Sequence, residues 1–421
     1  MNITLAPSVP VGALSAISSK SAAHRMLICA AFAQTSTVIR CDKTNKDIEA
    51  TANCLRALGA RIDYSPPYFR IAPIVSPRNG AVLDCGESGS TLRFLLPVIP
   101  ALGVEACFML SGRLADRPLS PLYEELVRHG ARLSPQGSNP LTCKGCLEGE
   151  EYRIRGDVSS QFISGLLFAL TFSGKGGRIV IEGKTESSAY IDMTVDALSA
   201  FDAAPTKTED GYVISKGARL NSTTADISVE GDWSNAAFPL CMGAIGNASV
   251  TVRGLSPDSH QGDRAIVDIL RRFGADITES EDGFTVKGGN DLHGIDIDAT
   301  QIPDLVPVLA TVAAAARGTT VIYGAARLRL KESDRLVTTR AMLTALGADV
   351  TETADGLIIN GKDSLVGGEV DGANDHRIAM SAAVASVVCR SPVTVIGAEC
   401  VSKSYPEFWN DIKKYLGINL S

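Results

Sequence analysis

A chain of 421 residues is about three times the usual single-domain length, so two domains of roughly 200 residues each are expected. Hydrophobic residues at 45% against 21% charged, with a mean hydropathy of +0.11, exclude a mostly disordered chain. A net charge of −7 and a pI of about 5.4 exclude broad binding to nucleic acid or anionic membranes, but not a local basic cleft.

The first twenty residues, MNITLAPSVPVGALSAISSK, have no basic segment followed by a compact apolar one, as an export signal requires. The longest apolar runs, Phe94 to Val104 and Leu305 to Ala316, fall short of the ~18 to 20 residues that span a bilayer. A cytoplasmic protein without a membrane segment is expected. The ten cysteines sit among small or apolar residues and read as reduced thiols. Cys143 and Cys146 form a CxxC with neither a second pair nor a His at zinc spacing, so they read as loop or strand thiols, and no metal site is expected.

In chain order, Asn2 to Leu5 alternates like a strand, and a helix rich in small apolar residues then opens near Ser21. Similar helices open near Gly89, Ser160, Ser234, Asp304 and Asp375, at intervals of 68 to 74 residues. A second helix follows each, ending in Gly59, Gly130, Gly274, Gly347 and Gly417, with Asp202 in the same slot of the third copy. Glycine suits a helix end because it adopts positive φ without a Cβ penalty. Strands lie between, as at Thr37 to Arg40, Arg178 to Glu182, Ser249 to Arg253, Thr319 to Tyr323 and Val393 to Ile396. Each unit therefore reads as helix, strand, helix, strand, strand. Six units fill the chain, three per domain. The sixth ends before its last strands, so Asn2 to Leu5 is expected to return and complete it. The domains are then 1–16 with 230–421, and 17–229, joined by a double-crossing hinge near residues 14–19 and 224–232. The apolar opening helices are expected inside each domain, wrapped by sheets and second helices.

Parallel opening helices would turn their N-termini to one face, where free N–H groups and the macrodipole attract anions. The helix starts carry matching residues: Lys20, Ser21 and Arg25; Gly89, Ser90 and Arg93; Ser159, Ser160 and Gln161; Asp375, His376 and Arg377. Arg117, Lys331, Arg335 and Lys403 add further cations. Singly each reads as a solvated charge, but their recurrence at one position in the repeat points to a small polyanionic ligand.

These residues stand in SKSAAHR (Ser19 to Arg25), ESGSTLR (Glu87 to Arg93), ADRPL (Ala115 to Leu119), VSSQF (Val158 to Phe162), SSAYI (Ser187 to Ile191), IPDL (Ile302 to Leu305), LKESDR (Leu330 to Arg335), NDHR (Asn374 to Arg377) and SKSYP (Ser402 to Pro406). In this order, and over essentially the whole chain, they resemble the enolpyruvyl transferases, and most closely the branch that acts on shikimate 3-phosphate. The resemblance implies an α/β fold of two similar domains, each of three βαβαββ repeats in an inside-out α/β barrel, with the active site in the interdomain cleft. It implies transfer of the enolpyruvyl group of phosphoenolpyruvate to the 5-hydroxyl of shikimate 3-phosphate, releasing phosphate, by addition and elimination through a tetrahedral intermediate. No metal or cofactor is implied, and a monomer is expected.

Carried over by resemblance, the shikimate 3-phosphate set is Lys20, Ser21, Arg25, Ser159, Ser160, Gln161, Ser187, Tyr190, Asp304 and Lys331. Arg327, where many members have an Asn touching that ligand, is added to it. The phosphoenolpyruvate set is Lys20, Gly89, Arg117, Gln161, Arg335, Arg377 and Lys403. Asp304 is implied as acceptor of the hydroxyl proton and Glu332 as proton donor to the methylene carbon, with Lys20 a further participant. Glu332 lies between Lys331 and Arg335, so burial, Asp334 or substrate charge must keep its proton in place. The chain departs from the family at Glu87 (often Asn), Ser90 (often Thr) and Phe94 (often Pro). Gly89 is retained, which implies inhibition by glyphosate in competition with phosphoenolpyruvate.

Two alternatives fit these residues less well. The sister enzyme acting on UDP-N-acetylglucosamine typically has a reactive Cys where this chain has Gly112, and Lys-Asn where it has Lys20-Ser21. A non-catalytic two-lobed anion-binding protein leaves Asp304 and Glu332 without a purpose.

Overall fold

The computed structural model describes residues 1–221, 226–289 and 291–421. The chain divides into two compact units, Met1–Ile17 with Glu230–Ser421, and Ser18–Val229. Each has its own apolar core. Ile17 falls in the first unit, not with the residues after it: it shares the core with Leu14 and Trp233, and its carbonyl accepts the Asp232 N–H at 2.8 Å. Residues 224 and 225 of the expected return crossing lie outside the described residues.

Five of the six repeats follow one pattern, strand, buried helix, parallel strand, second helix, hairpin, and the sixth lacks the hairpin. In the fifth repeat the strands run in the order Asp296–Asp298, Thr319–Tyr323, Leu357–Asn360, Asp349–Glu352. The first pair is parallel and the others antiparallel. A parallel pair needs a crossover, and the buried helix Val306–Ala314 supplies it. The reading of each unit as beginning with its helix omits the strand before it. Those strands are short, such as Ala81–Asp84 and Gly368–Asp371, and four residues give too little alternation to register as a period.

The opening helices are buried all round. Every residue of Val306–Ala314 and of His376–Ala385 is buried, which accounts for the run of Ala, Val and Leu without a polar face. The second helices are one-sided: Lys46–Leu58 buries Ile48, Thr51, Ala52, Leu55 and Leu58, at helical spacing. Its C-terminal Gly59 has φ of 121°.

The sixth repeat is closed from the other end of the chain. Asn2–Leu5 pairs antiparallel with Val393–Ile396, which is parallel to Gly368–Asp371, and Leu420 bridges Leu5 on the far side. The first and fourth repeats exchange strands in a way the sequence reading does not anticipate. Gly12–Ser15, which precedes the first opening helix, pairs with Ser249–Arg253 of the fourth repeat. Asp226–Ser228, which precedes the fourth opening helix, pairs with Thr37–Arg40 of the first. Each passage of the chain between units therefore comes between a strand and its own helix.

Leu5 has no exposed surface and belongs to the core of its unit. Leu5→Ala is expected to lower stability by about 2 to 5 kcal/mol, measured by denaturant unfolding.

Candidate active site

In the unit Ser18–Val229, three helix starts are tied together by side chains. Ser19 caps Lys20–Ala31, Ser88 caps Gly89–Leu95, and Ser159 caps Ser160–Phe172, each accepting a backbone N–H of the first turn. Gln161, in the third helix, donates from Nε2 to Ser90 Oγ at 2.8 Å in the second and accepts from Arg93 Nη1 at 2.8 Å. Its amide is thereby held at both ends.

Arg25 is buried and bonds in three directions. Nε donates to Thr194 Oγ1 at 2.7 Å, Nη1 to the Ser21 carbonyl at 2.6 Å and Nη2 to the Tyr190 carbonyl at 2.7 Å. The Phe94 ring lies 4.9 Å from the guanidinium carbon, so the aromatic departure at this position gives Arg25 a cation–π partner. Burial pulls the Arg25 pKa down to about 10, which leaves it charged at neutral pH. Lys20 pairs with Asp47 at 2.9 Å, a carboxylate the sequence reading passed over because, with Glu49, it looks like ordinary first-turn charge on the amphipathic second helix. Ser160 and Ser187 are buried, and Ser187 holds a φ of 54° where the chain turns into the helix of Tyr190.

Gly89 touches Arg117. A Cβ there would stand 2.8 Å from Arg117 Nη1, so this position has room for the guanidinium only because it is glycine. A cavity of about 660 Å³ in the same unit is lined by Phe32, Leu102, Phe172 and Arg219, which follow the C-terminal ends of opening helices or lie beside them. Carbonyl ends repel anions, so this cavity is not the phosphate site the sequence points to.

The other unit gathers Asp304, Lys331, Glu332, Arg335 and Arg377, from three consecutive parts of the fifth and sixth repeats. Arg335 is 1% exposed and meets three carboxylates: Asp304 at 2.8 Å, Glu332 at 2.7 Å and Asp375 at 2.8 Å. Burial opposes its charge, but Asp375, Glu332 and Asp304 outweigh it and raise its pKa above the usual value. Asp304 also accepts from Lys331 at 3.3 Å and from Arg377 Nη2 at 3.3 Å. Asp375 caps His376–Ala385 while holding Arg335, so the helix start and the buried cation fix each other.

Lys403 donates to the Asn374 carbonyl at 2.6 Å, where Ala373 and Asn374 both have positive φ. Arg327 donates to the Thr300 carbonyl at 2.8 Å. Asp334 is turned to Arg329 and to the first turn of Arg335–Ala345. Among the described residues no three His, Cys, Asp or Glu side chains group as a metal site requires, and no helix is long and apolar enough to cross a membrane.

Six repeats in two units, with cations at the starts of the buried helices, form the fold of the enolpyruvyl transferases. An EPSP synthase of Acinetobacter baumannii superposes with a TM-score of 0.82 at 27% identity, covering 100% of this chain and 99% of that one. An enolpyruvyl transferase of Streptomyces tendae shares the fold at a TM-score of 0.78 and 16% identity, covering 100% of this chain and 98% of that one. The EPSP synthase (3-phosphoshikimate 1-carboxyvinyltransferase) family matches residues 7–412, and the chain belongs to it. Relatives named 3-phosphoshikimate 1-carboxyvinyltransferase include one from Clostridium kluyveri, 42% identical over 99% of this chain and 97% of that one. One from Clostridium acetobutylicum is 42% identical over 95% of this chain and 94% of that one.

His24, buried beside these cations, bonds Thr51 at 2.7 Å, and Thr51 bonds Thr91 at 2.7 Å. Burial, then Lys20 and Arg25, hold its pKa well below the ordinary 6.5, so it stays neutral in the folded chain. Below pH 6.5 the unfolded chain takes up a proton that the folded chain refuses, and stability falls with pH by up to about 1.4 kcal/mol per unit. Unfolding titrations should show this slope, and His24→Gln should remove it.

Proposed function

We infer that the chain transfers the carboxyvinyl group of phosphoenolpyruvate to the 5-hydroxyl of shikimate 3-phosphate and releases phosphate, in the shikimate route to aromatic amino acids. The residue sets of both units act on one pair of substrates. Arg25, Ser160, Gln161, Ser187 and Tyr190, with Lys331, take shikimate 3-phosphate, and Arg327 reaches the same ligand. Ser21 and Ser159 hold the helix ends against its phosphate. Lys20, Gly89, Arg117, Arg335, Arg377 and Lys403 take the phosphate and carboxylate of phosphoenolpyruvate, as bidentate Arg and point-charge Lys suit them. The protein acts as a monomer in the cytoplasm.

One observation carries the mechanism: the single guanidinium of Arg335 holds both Asp304 and Glu332. In the addition step the 5-hydroxyl O–H bond breaks, its proton goes to Asp304, and its oxygen pair bonds C2 of phosphoenolpyruvate. The C2=C3 pair takes a proton at C3 from Glu332. In elimination C3 returns its proton to Glu332, the C2–O bond to phosphate breaks as the C2=C3 double bond re-forms, and the proton held by Asp304 passes to the departing phosphate. The negative charge of bound substrate favours a proton on Glu332. Each acid/base step is worth about 10²- to 10⁴-fold.

The test is phosphate release from phosphoenolpyruvate with and without shikimate 3-phosphate. Release that ignores the acceptor refutes the reading. Asp304→Asn and Glu332→Gln should each lose about 100-fold or more in kcat while still binding shikimate 3-phosphate. Gly89→Ala should push Arg117 aside and raise KM for phosphoenolpyruvate about tenfold, the worth of one charge-assisted hydrogen bond. Glyphosate should compete with phosphoenolpyruvate in the parent and lose affinity in the same variant.

A further inference from the structure

Asp304 is badly placed for a base if only its contacts are counted. Its oxygens accept from Lys331, Arg335 and Arg377, and three cations stabilise a carboxylate against taking a proton. A group of opposite effect is needed nearby, and the same unit holds one that neither the sequence motifs nor the proposed mechanism uses.

We propose that Asp263 is a positioning residue whose negative charge keeps Asp304 able to accept the proton of the substrate hydroxyl. This rests on the reading of Asp304 as the proton acceptor. Asp263 stands in the turn Gly262–Ala265 of the fourth repeat and is 1% exposed. Ser234, in the first turn of Trp233–Ile245, donates its hydroxyl to Oδ2. Oδ1 is buried and accepts from none of the described residues. Asp263 caps neither its own turn nor the helix Ile266–Phe273 that follows, so the ordinary structural use of a buried Asp near a helix start is missing. A half-bonded buried carboxyl is costly and its surroundings say what it faces. Asp304 repels it from the turn Pro303–Leu305, Arg377 attracts it from His376–Ala385, and Asp232 repels it from the cap of Trp233–Ile245.

The same forces set its titration. Burial first and Asp304 second push its pKa up to about 6, against the pull of Arg377 and Ser234. At neutral pH Asp263 is therefore mostly charged and opposes the cations around Asp304. As pH falls through about 6 it takes a proton, the opposition ends, and Asp304 becomes a weaker base.

The experiment is kcat at saturating phosphoenolpyruvate and shikimate 3-phosphate from about pH 5 to 8. The parent should lose rate through a single group near pH 6. Asp263→Asn should lack that limb and run roughly 3- to 10-fold below the parent at neutral pH, with shikimate 3-phosphate binding within about twofold of the parent. Asp263→Glu, which keeps the charge, should keep the limb and most of the rate. An Asn variant whose pH profile overlays the parent's, or whose defect is confined to KM, overturns the proposal. Should that variant fail to fold, Ser234→Ala decides: without its donor Asp263 holds its proton to higher pH, so the limb must move upward, and an unmoved limb overturns the proposal. Asp304→Asn separates the two ideas. Full turnover in it defeats the assignment of Asp304 itself, whereas lost turnover in it beside an unchanged Asp263→Asn defeats only the role of Asp263.

Discussion

Arg335 carries a charge that has no access to water, and the second half of the candidate site is arranged around meeting it. Removing a guanidinium from solvent costs several kcal/mol, which only close opposite charge with good geometry recovers. Asp375 meets it from a helix cap, Glu332 from one turn earlier in sequence, and Asp304 from the start of the neighbouring buried helix. Because Asp304 and Glu332 share this cation, their separation is fixed by the guanidinium fork and not by loop conformation. Lys331 shares Oδ1 of Asp304 with Arg335, and Arg377 reaches Oδ2. Two groups proposed to move protons in opposite directions are thus set by one rigid plane.

The other unit solves a similar problem with neutral partners. Arg25 is as buried as Arg335 but has no carboxylate among its three hydrogen-bond acceptors, which are two carbonyls and a threonine hydroxyl, and an aromatic ring covers its face. Its charge stays uncompensated by any counter-ion in these bonds, and that is the condition in which a buried arginine draws an anionic ligand most strongly. Arg335 is charge-balanced and holds the two groups proposed to move protons; Arg25 is not, and suits the binding role proposed for it.

Much of this was legible in the sequence because it recurs. The glycines ending the second helices and the small residues opening the buried ones mark the repeat without any partner being known, and the same period places Lys20, Gly89, Gln161, Asp304 and Arg377 at equivalent helix starts. The roles of Lys331 and Glu332 came only with the family likeness, since LKESDR alone reads as a surface charge run. Asp47 and Asp263 were not legible. Each looks like ordinary acidic charge on a second helix or turn, and what distinguishes it is a neighbour about 27 to 41 residues away in sequence. The exchanged strands Gly12–Ser15 and Asp226–Ser228 were hidden for a related reason: a strand of three or four residues carries no mark of which sheet will take it.

That exchange has a consequence for how the chain is made. The unit Ser18–Val229 has all its strands, including Asp226–Ser228, once synthesis passes residue 229. Residues 1–17 of the other unit are synthesised before Ser18–Val229, yet Gly12–Ser15 pairs with Ser249–Arg253 and Asn2–Leu5 with Val393–Ile396, which are made after it. Folding on the ribosome proceeds from the N-terminus, so Ser18–Val229 closes first while Asn2–Leu5 and Gly12–Ser15 wait for the strands made after it. An edge of only four residues is poor at pairing with strangers in that interval. The brevity that made these strands hard to read is what makes the wait tolerable.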